Sequence, residues 1–143
     1  DRLSGPLLDR IDLHINLPPV GIVELQQESH GECSAAVRAR VVAARDIQRA
    51  RHLRGETSSP YNATLTQADL DRVARPDASA RKLLRLAVER LGLSARAYIK
   101  IRRLARTLAD LEGREAVTGP DFAEAVEARK LDHRSAPFLS RTG

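Results

Sequence analysis

The chain has no methionine, no tryptophan and a single cysteine. One thiol, Cys33, excludes an internal disulfide. Cys33 and the histidines His14, His30, His52 and His133 stand at no metal-binding spacing. His30 is close to Cys33 in sequence, but no second pair accompanies them. No metal site is therefore expected, and with no third, orienting group neither is a Cys–His nucleophile. Aromatic residues make up 3% of the chain, as Tyr61, Tyr98, Phe122 and Phe138. That is too few for the stacking platforms that hold single-stranded nucleic acid. No apolar run approaches the roughly 20 residues of a membrane-spanning helix, and there is no secretory leader pattern. A cytoplasmic protein with no membrane partner is expected. The missing methionine, with Asp1 in first place, leads us to expect a piece of a longer chain.

What is present is charge and helical periodicity. Of 143 residues, 30% are charged and 42% hydrophobic, and the net charge is +5. Such a chain can build one core, and its charge permits a nucleic-acid or phosphate partner. Residues Ile11–Leu17 alternate, with Ile11, Leu13, Ile15 and Leu17 set against Asp12, His14 and Asn16. This is the period of a half-buried strand, stopped by Pro18 and Pro19. A lone strand has no ladder partner, so the arm is expected to pack less well than the rest.

Helical patterns follow at Ala35–Leu53 after Ser34, Gln67–Ala74 after Thr66, and Ala78–Leu91 after Asp77. In each, the preceding residue is a suitable N-cap. A further helix begins at Thr118, with Pro120 and Asp121 in its first turn, and runs to about Leu131. Between these lies the stretch Gly92–Leu111, capped by Ser94. Ala97, Ile101, Leu104, Leu108 and Leu111 share one face. Arg96, Lys100, Arg103 and Arg106 take the opposite side, with Arg102 on the flank, and no acid falls between Ser94 and Arg106. Such a face is either simply solvated or turned to an anion. The fold class expected is mainly α: a short arm with one β-strand (1–33), a small five-helix bundle (34–131) and a tail (132–143).

Two stretches, LSGPLLDRIDLHI at Leu3–Ile15 and LGLSARAYIKIRRLARTLADLEG at Leu91–Gly113, resemble the C-terminal part of the magnesium-chelatase-like AAA+ ATPases of the YifB/ComM type. NATLTQADL and VTGPDFAEAVEAR fit the same pattern, so the resemblance covers nearly the whole chain. It implies that 1–33 is the end of an ATPase core with its linker and that 34–131 is the helical lid. It also implies a ring of identical subunits, typically a hexamer, using ATP and Mg2+ and acting on DNA, as in branch migration.

By the same resemblance Arg10, in Leu-Leu-Asp-Arg-Ile-Asp, matches the arginine finger that reaches the γ-phosphate of a neighbouring subunit. A guanidinium suits that task because it stays charged and donates paired hydrogen bonds. The plainer reading pairs Arg10 with Asp9 or Asp12. Arg96 matches the sensor-2 arginine, which contacts phosphate on its own subunit from a helix N-terminus; the plainer reading is a surface arginine. Arg103 and Arg106 have no sharp role, DNA contact and an intersubunit ion pair being equally open. Ile99 and Lys100 stand where the family commonly has His-Arg, and Arg102 where it often has Leu. No GxxxxGK[ST] loop and no acidic magnesium-binding strand end occur. This stretch alone is therefore not expected to hydrolyse ATP or bind it tightly. The rival reading is a stand-alone basic helical module that binds nucleic acid directly, although no recognition-helix motif is evident.

Overall fold

The computed structural model describes residues 7, 10–15, 17–19, 21, 22 and 31–129. The expected tail and the expected end of the last helix at residues 130 and 131 lie outside the described residues, as do Asp9, His30 and most of 1–9. The elements are α1 (Ser34–Leu53), a 3-10 turn (Asn62–Thr64), α2 (Gln67–Val73), α3 (Ala78–Leu91), α4 (Ala95–Leu111) and α5 (Gly119–Glu127).

Local chemistry sets the helix starts. The Ser94 hydroxyl accepts from Ala97 N–H at 3.1 Å, and Asp77 accepts from Ala80 N–H at 2.7 Å. Thr66 and Asp69 cap each other reciprocally: Asp69 N–H donates to the Thr66 hydroxyl at 3.2 Å, and Thr66 N–H donates to the Asp69 carboxylate at 2.9 Å. The start of α1 differs from the expected cap. Cys33 occupies the N-cap position without a side-chain bond, and Ser34 is already helical. At the other end of α3, Gly92 takes the left-handed conformation, φ 56°. A Cβ there would touch nothing within 4 Å, so Gly92→Ala is expected to cost about 1–2 kcal/mol from backbone conformation alone. A urea titration reads this directly, and a neutral result would refute it.

Helix α4 is the centre. It touches α1, the 3-10 turn, α2 and α5, while α3 packs against α5. The main core joins Ala80, Leu84 and Ala87 of α3, Ala97, Ile101 and Ala105 of α4, and Phe122, Ala125 and Val126 of α5. Small residues at four-residue spacing along α4 let its neighbours come close. A second cluster, Leu65, Leu70 and Ala74, lies under Ile99 and Val117.

Three expectations need correction. Among the described residues 11–15 and 17 there is no strand. The expected apolar face of that segment is turned outward, from Ile11 at 39% to Leu17 at 83% exposure. Its backbone bonds to the bundle rather than to a ladder: His14 N–H donates to Ala128 C=O at 2.7 Å, and Arg129 donates to Ile11 C=O at 2.6 Å. The narrow apolar stripe that spacing predicts on α1, Val37, Val41, Ala44 and Ile47 or Gln48, is covered only in its second half: Ala44 is buried, whereas Val37 and Val41 are exposed. On α4 the buried face runs through Ala97, Ile101, Ala105 and Ala109 together with Arg102, Arg106 and Asp110, whereas Leu111 is 41% exposed. A helix contacted on several sides buries more than its apolar stripe.

Candidate functional site

The basic helix does not present a uniform row of guanidinium groups. Arg102 and Arg106 are 2% and 1% exposed. Short α2 ends on carbonyls that have no helical partner, and these two arginines satisfy them. Arg102 donates to Ala74 C=O, 3.3 Å from Nε and from Nη2, and pairs with Asp71 at 2.9 Å. Arg106 donates to Val73 C=O at 3.1 Å, and to the Glu115 and Arg114 carbonyls at 2.6 Å each. Arg103 grips Leu65 C=O at 2.6 and 3.0 Å. All three side chains tie loops and helix ends to α4, which corrects the expected outward-facing arrangement.

Asp110 is the hub of a buried polar cluster. It forms an ion pair with Arg51 of α1 through both carboxylate oxygens, and with Arg106 at 3.0 Å. The Asn62 amide donates to it at 2.7 Å and to the Thr107 hydroxyl at 3.2 Å. Burial, reinforced by the nearby Arg51 charge, lowers the Arg106 pKa from its ordinary value, and Asp110 opposes that effect. The cluster joins α1, the 3-10 turn and α4 where apolar contacts are few.

Near its N-terminus α4 is different. Arg96 lies in the first turn and is exposed. One turn on, Lys100 donates to Arg10 C=O at 2.6 Å and pairs with Asp12 at 2.8 Å. Arg10 N–H closes a turn onto Leu7 C=O at 3.0 Å. Lys100 thus fastens the chain at Arg10 to the helix face that carries Arg96. The Asp12 carboxylate goes to Lys100, not to Arg10. Neither the Arg10 nor the Arg96 guanidinium has a hydrogen bond or ion pair among the described residues, and the two share no common partner.

The comparisons with known proteins fit this architecture. Residues 31–129 match the family model described as magnesium chelatase, subunit ChlI C-terminal. The chain belongs to this magnesium-chelatase C-terminal family. It is 38% identical over 132 residues to the competence protein ComM of Haemophilus influenzae, a match covering 92% of this chain and 25% of that protein. It is 37% identical over 134 residues to the uncharacterized protein YifB of Escherichia coli, covering 92% of this chain and 25% of YifB. An uncharacterized protein of Mycobacterium tuberculosis is 35% identical over 135 residues, covering 93% and 26%. The chain thus spans about a quarter of the length of these relatives. No helix among the described residues is long and apolar enough to cross a membrane.

In this magnesium-chelatase C-terminal domain the Arg51–Asp110–Arg106 cluster is not legible as a unit in the sequence. The four-residue spacing of Arg106 and Asp110 was a local signal for one of its pairs, whereas nothing local links Arg51 to a carboxylate 59 positions away. Two capping carboxylates gained roles beyond their helices. Burial works against the charge on Asp69, but hydrogen bonds from Ser58 and Thr66 outweigh it and hold the carboxyl well below its usual range. The Arg114 ion pair, against burial and with help from Thr118, holds Asp121 at about 2.

For Asp121 the folded-state pKa lies below the unfolded reference of 3.8. Its contribution is full above that reference and is lost as pH falls through the folded value. Asp121→Asn is therefore expected to be less stable than the parent at neutral pH, with the gap closing as pH drops toward about 2. Urea titrations across this range read the gap; a pH-independent difference would refute the ion-pair assignment.

Proposed function

We propose that this domain is the lid of a ring-forming AAA+ ATPase and supplies two arginines to ATP sites completed by the rest of the protein. Arg96 contacts phosphate on its own subunit, aided by the positive end of α4. Arg10 reaches the γ-phosphate held by a neighbour and stabilises charge in the transition state. The single observation that carries this is the division of labour on α4. Arg102, Arg103 and Arg106 are engaged with internal carbonyls, while Arg96 is exposed without a partner among the described residues and Lys100 fastens Arg10 to the same helix.

The residues present fit the phosphate part of Mg2+–ATP, because two exposed guanidinium groups are available to it. The metal and the rest of the nucleotide belong to Walker segments that this sequence does not contain. ATP hydrolysis supplies the free energy for ring motion. This chain's residues position the phosphates and couple one subunit's lid to the next. DNA is the substrate we infer, in keeping with the basic charge.

Internal use of Arg51, Arg102, Arg103 and Arg106 counts against a stand-alone nucleic-acid-binding module. The test is ATP hydrolysis by the full-length protein carrying Arg10→Ala or Arg96→Ala. Loss of turnover in both supports the reading, and wild-type turnover in both overturns it.

A further inference from the structure

A cavity of about 620 Å3 opens between the C-terminal parts of α1 and α2 and the 113–117 segment, some distance from Arg10 and Arg96. Arg106 lies ten residues beyond Arg96 on α4, about 15 Å along the helix axis. The cavity is lined by Arg51 and Arg106, which are 5% and 1% exposed. These two cations share one carboxylate, Asp110. Within the cluster that carboxylate is the one hydrogen-bonded counter-ion, and the Asp121 and Glu56 charges reach the two cations only through space. Arg106 Nε also has no hydrogen-bond partner among the described residues. Its other hydrogen-bonding nitrogens are engaged.

Toward solvent the cavity continues to Arg54, Arg72, Arg75 and Arg114, with the carboxylates of Glu56 and Glu115 among them. Arg54 pairs with Glu56 and Arg72 with Asp69, but both arginine side chains are more than half exposed. Such pairs are weak and exchange readily for a stronger acceptor. Arg75 is exposed and joins no ion pair among the described residues. An anion entering here meets movable guanidinium forks at the rim, outnumbering the two carboxylates there, and at the floor two cations that share Asp110. Forks of this kind match phosphate oxygens in paired hydrogen bonds. The volume falls in the range of small-molecule sites, and the shape is a concavity rather than an open stripe.

We propose that this cavity binds a small molecule bearing a phosphate or diphosphate group, whose charge completes the Arg51–Asp110–Arg106 cluster. The site stands independently of the ATPase reading. Its test is calorimetric titration of the chain with pyrophosphate at low ionic strength, alongside thermal unfolding. One saturable site is expected, together with a higher unfolding temperature in pyrophosphate. Arg75→Glu is expected to weaken binding about tenfold or more, and adding Arg54→Glu to weaken it further, with ligand-free unfolding temperatures close to the parent's. Arg96→Ala is expected to bind as the parent does. The proposal is overturned if pyrophosphate shows no saturable binding, if Arg75→Glu binds unchanged, or if Arg96→Ala abolishes binding. It is equally overturned if a short DNA duplex binds through Arg75 while pyrophosphate does not.

Discussion

In the full-length protein, Arg10→Ala should slow ATP hydrolysis by about 10³-fold or more while leaving nucleotide binding nearly intact, because an arginine finger acts on charge that develops only in the transition state. The informative version mixes two inactive proteins. Arg10→Ala subunits keep their own nucleotide cradle but offer no finger to the neighbour. Subunits mutated in the Walker A lysine offer Arg10 but cannot hold ATP. In a mixed ring some interfaces pair an intact cradle with an intact finger, and part of the turnover returns. Arg96→Ala should differ in kind: with the proposed phosphate contact made within one subunit, mixing with a Walker A variant should restore nothing. If Arg10→Ala alone keeps full activity, the arm is only a structural strap held by Lys100, Ala128 and Arg129. If mixing fails while each parent protein assembles normally, Arg10 does not act across an interface.

Asp110→Ala should destabilise the domain by about 3–5 kcal/mol, the cost of leaving buried cations without their counter-ion. Against a typical total of roughly 5–15 kcal/mol, that removes a large share of the stability. Arg51, Arg106 and the Asn62 amide all lose their acceptor at once. Asparagine should rescue little, since its amide nitrogen would face donors from Arg51. A double-mutant cycle isolates the pair. With Arg51→Ala already in place, Asp110→Ala should cost distinctly less than it does alone, because one of the stranded cations is gone. Urea denaturation measures each corner. A loss below about 1 kcal/mol for Asp110→Ala would mean that water reaches the cluster and that its Coulomb terms are screened as at a surface.

Much of the helical architecture was legible from short-range chemistry. Ser94, Thr66 and Asp77 cap the helices where their side chains predict, because an N-cap oxygen needs only an amide two or three residues ahead. The guanidinium groups of Arg10 and Arg96 are exposed and have no hydrogen bond or ion pair among the described residues. The β-strand expectation failed because alternation describes a segment with one buried face, and here nothing buries that face among the described residues. The stripe on α1 failed in its first half for the same reason: periodicity marks a face able to pack, without supplying the neighbour.

The arginines of α4 divide what sequence decides from what tertiary structure decides. By itself the sequence determined that α4 is a helix, where it starts, and that Arg96 sits in its first turn, all consequences of 3.6-residue periodicity and local capping. Only the tertiary structure decided which cations are inside. An arginine has a long apolar stem and a charged head, so it is stable either in water or against a set of oxygens. For Arg102 and Arg106 those oxygens are the unpaired carbonyls at the end of α2 and in the 114–115 loop, and for Arg51 they are the carboxylate of Asp110 on another helix. These partners are distant in sequence or defined only by where a neighbouring helix stops, and folding alone brings them into reach.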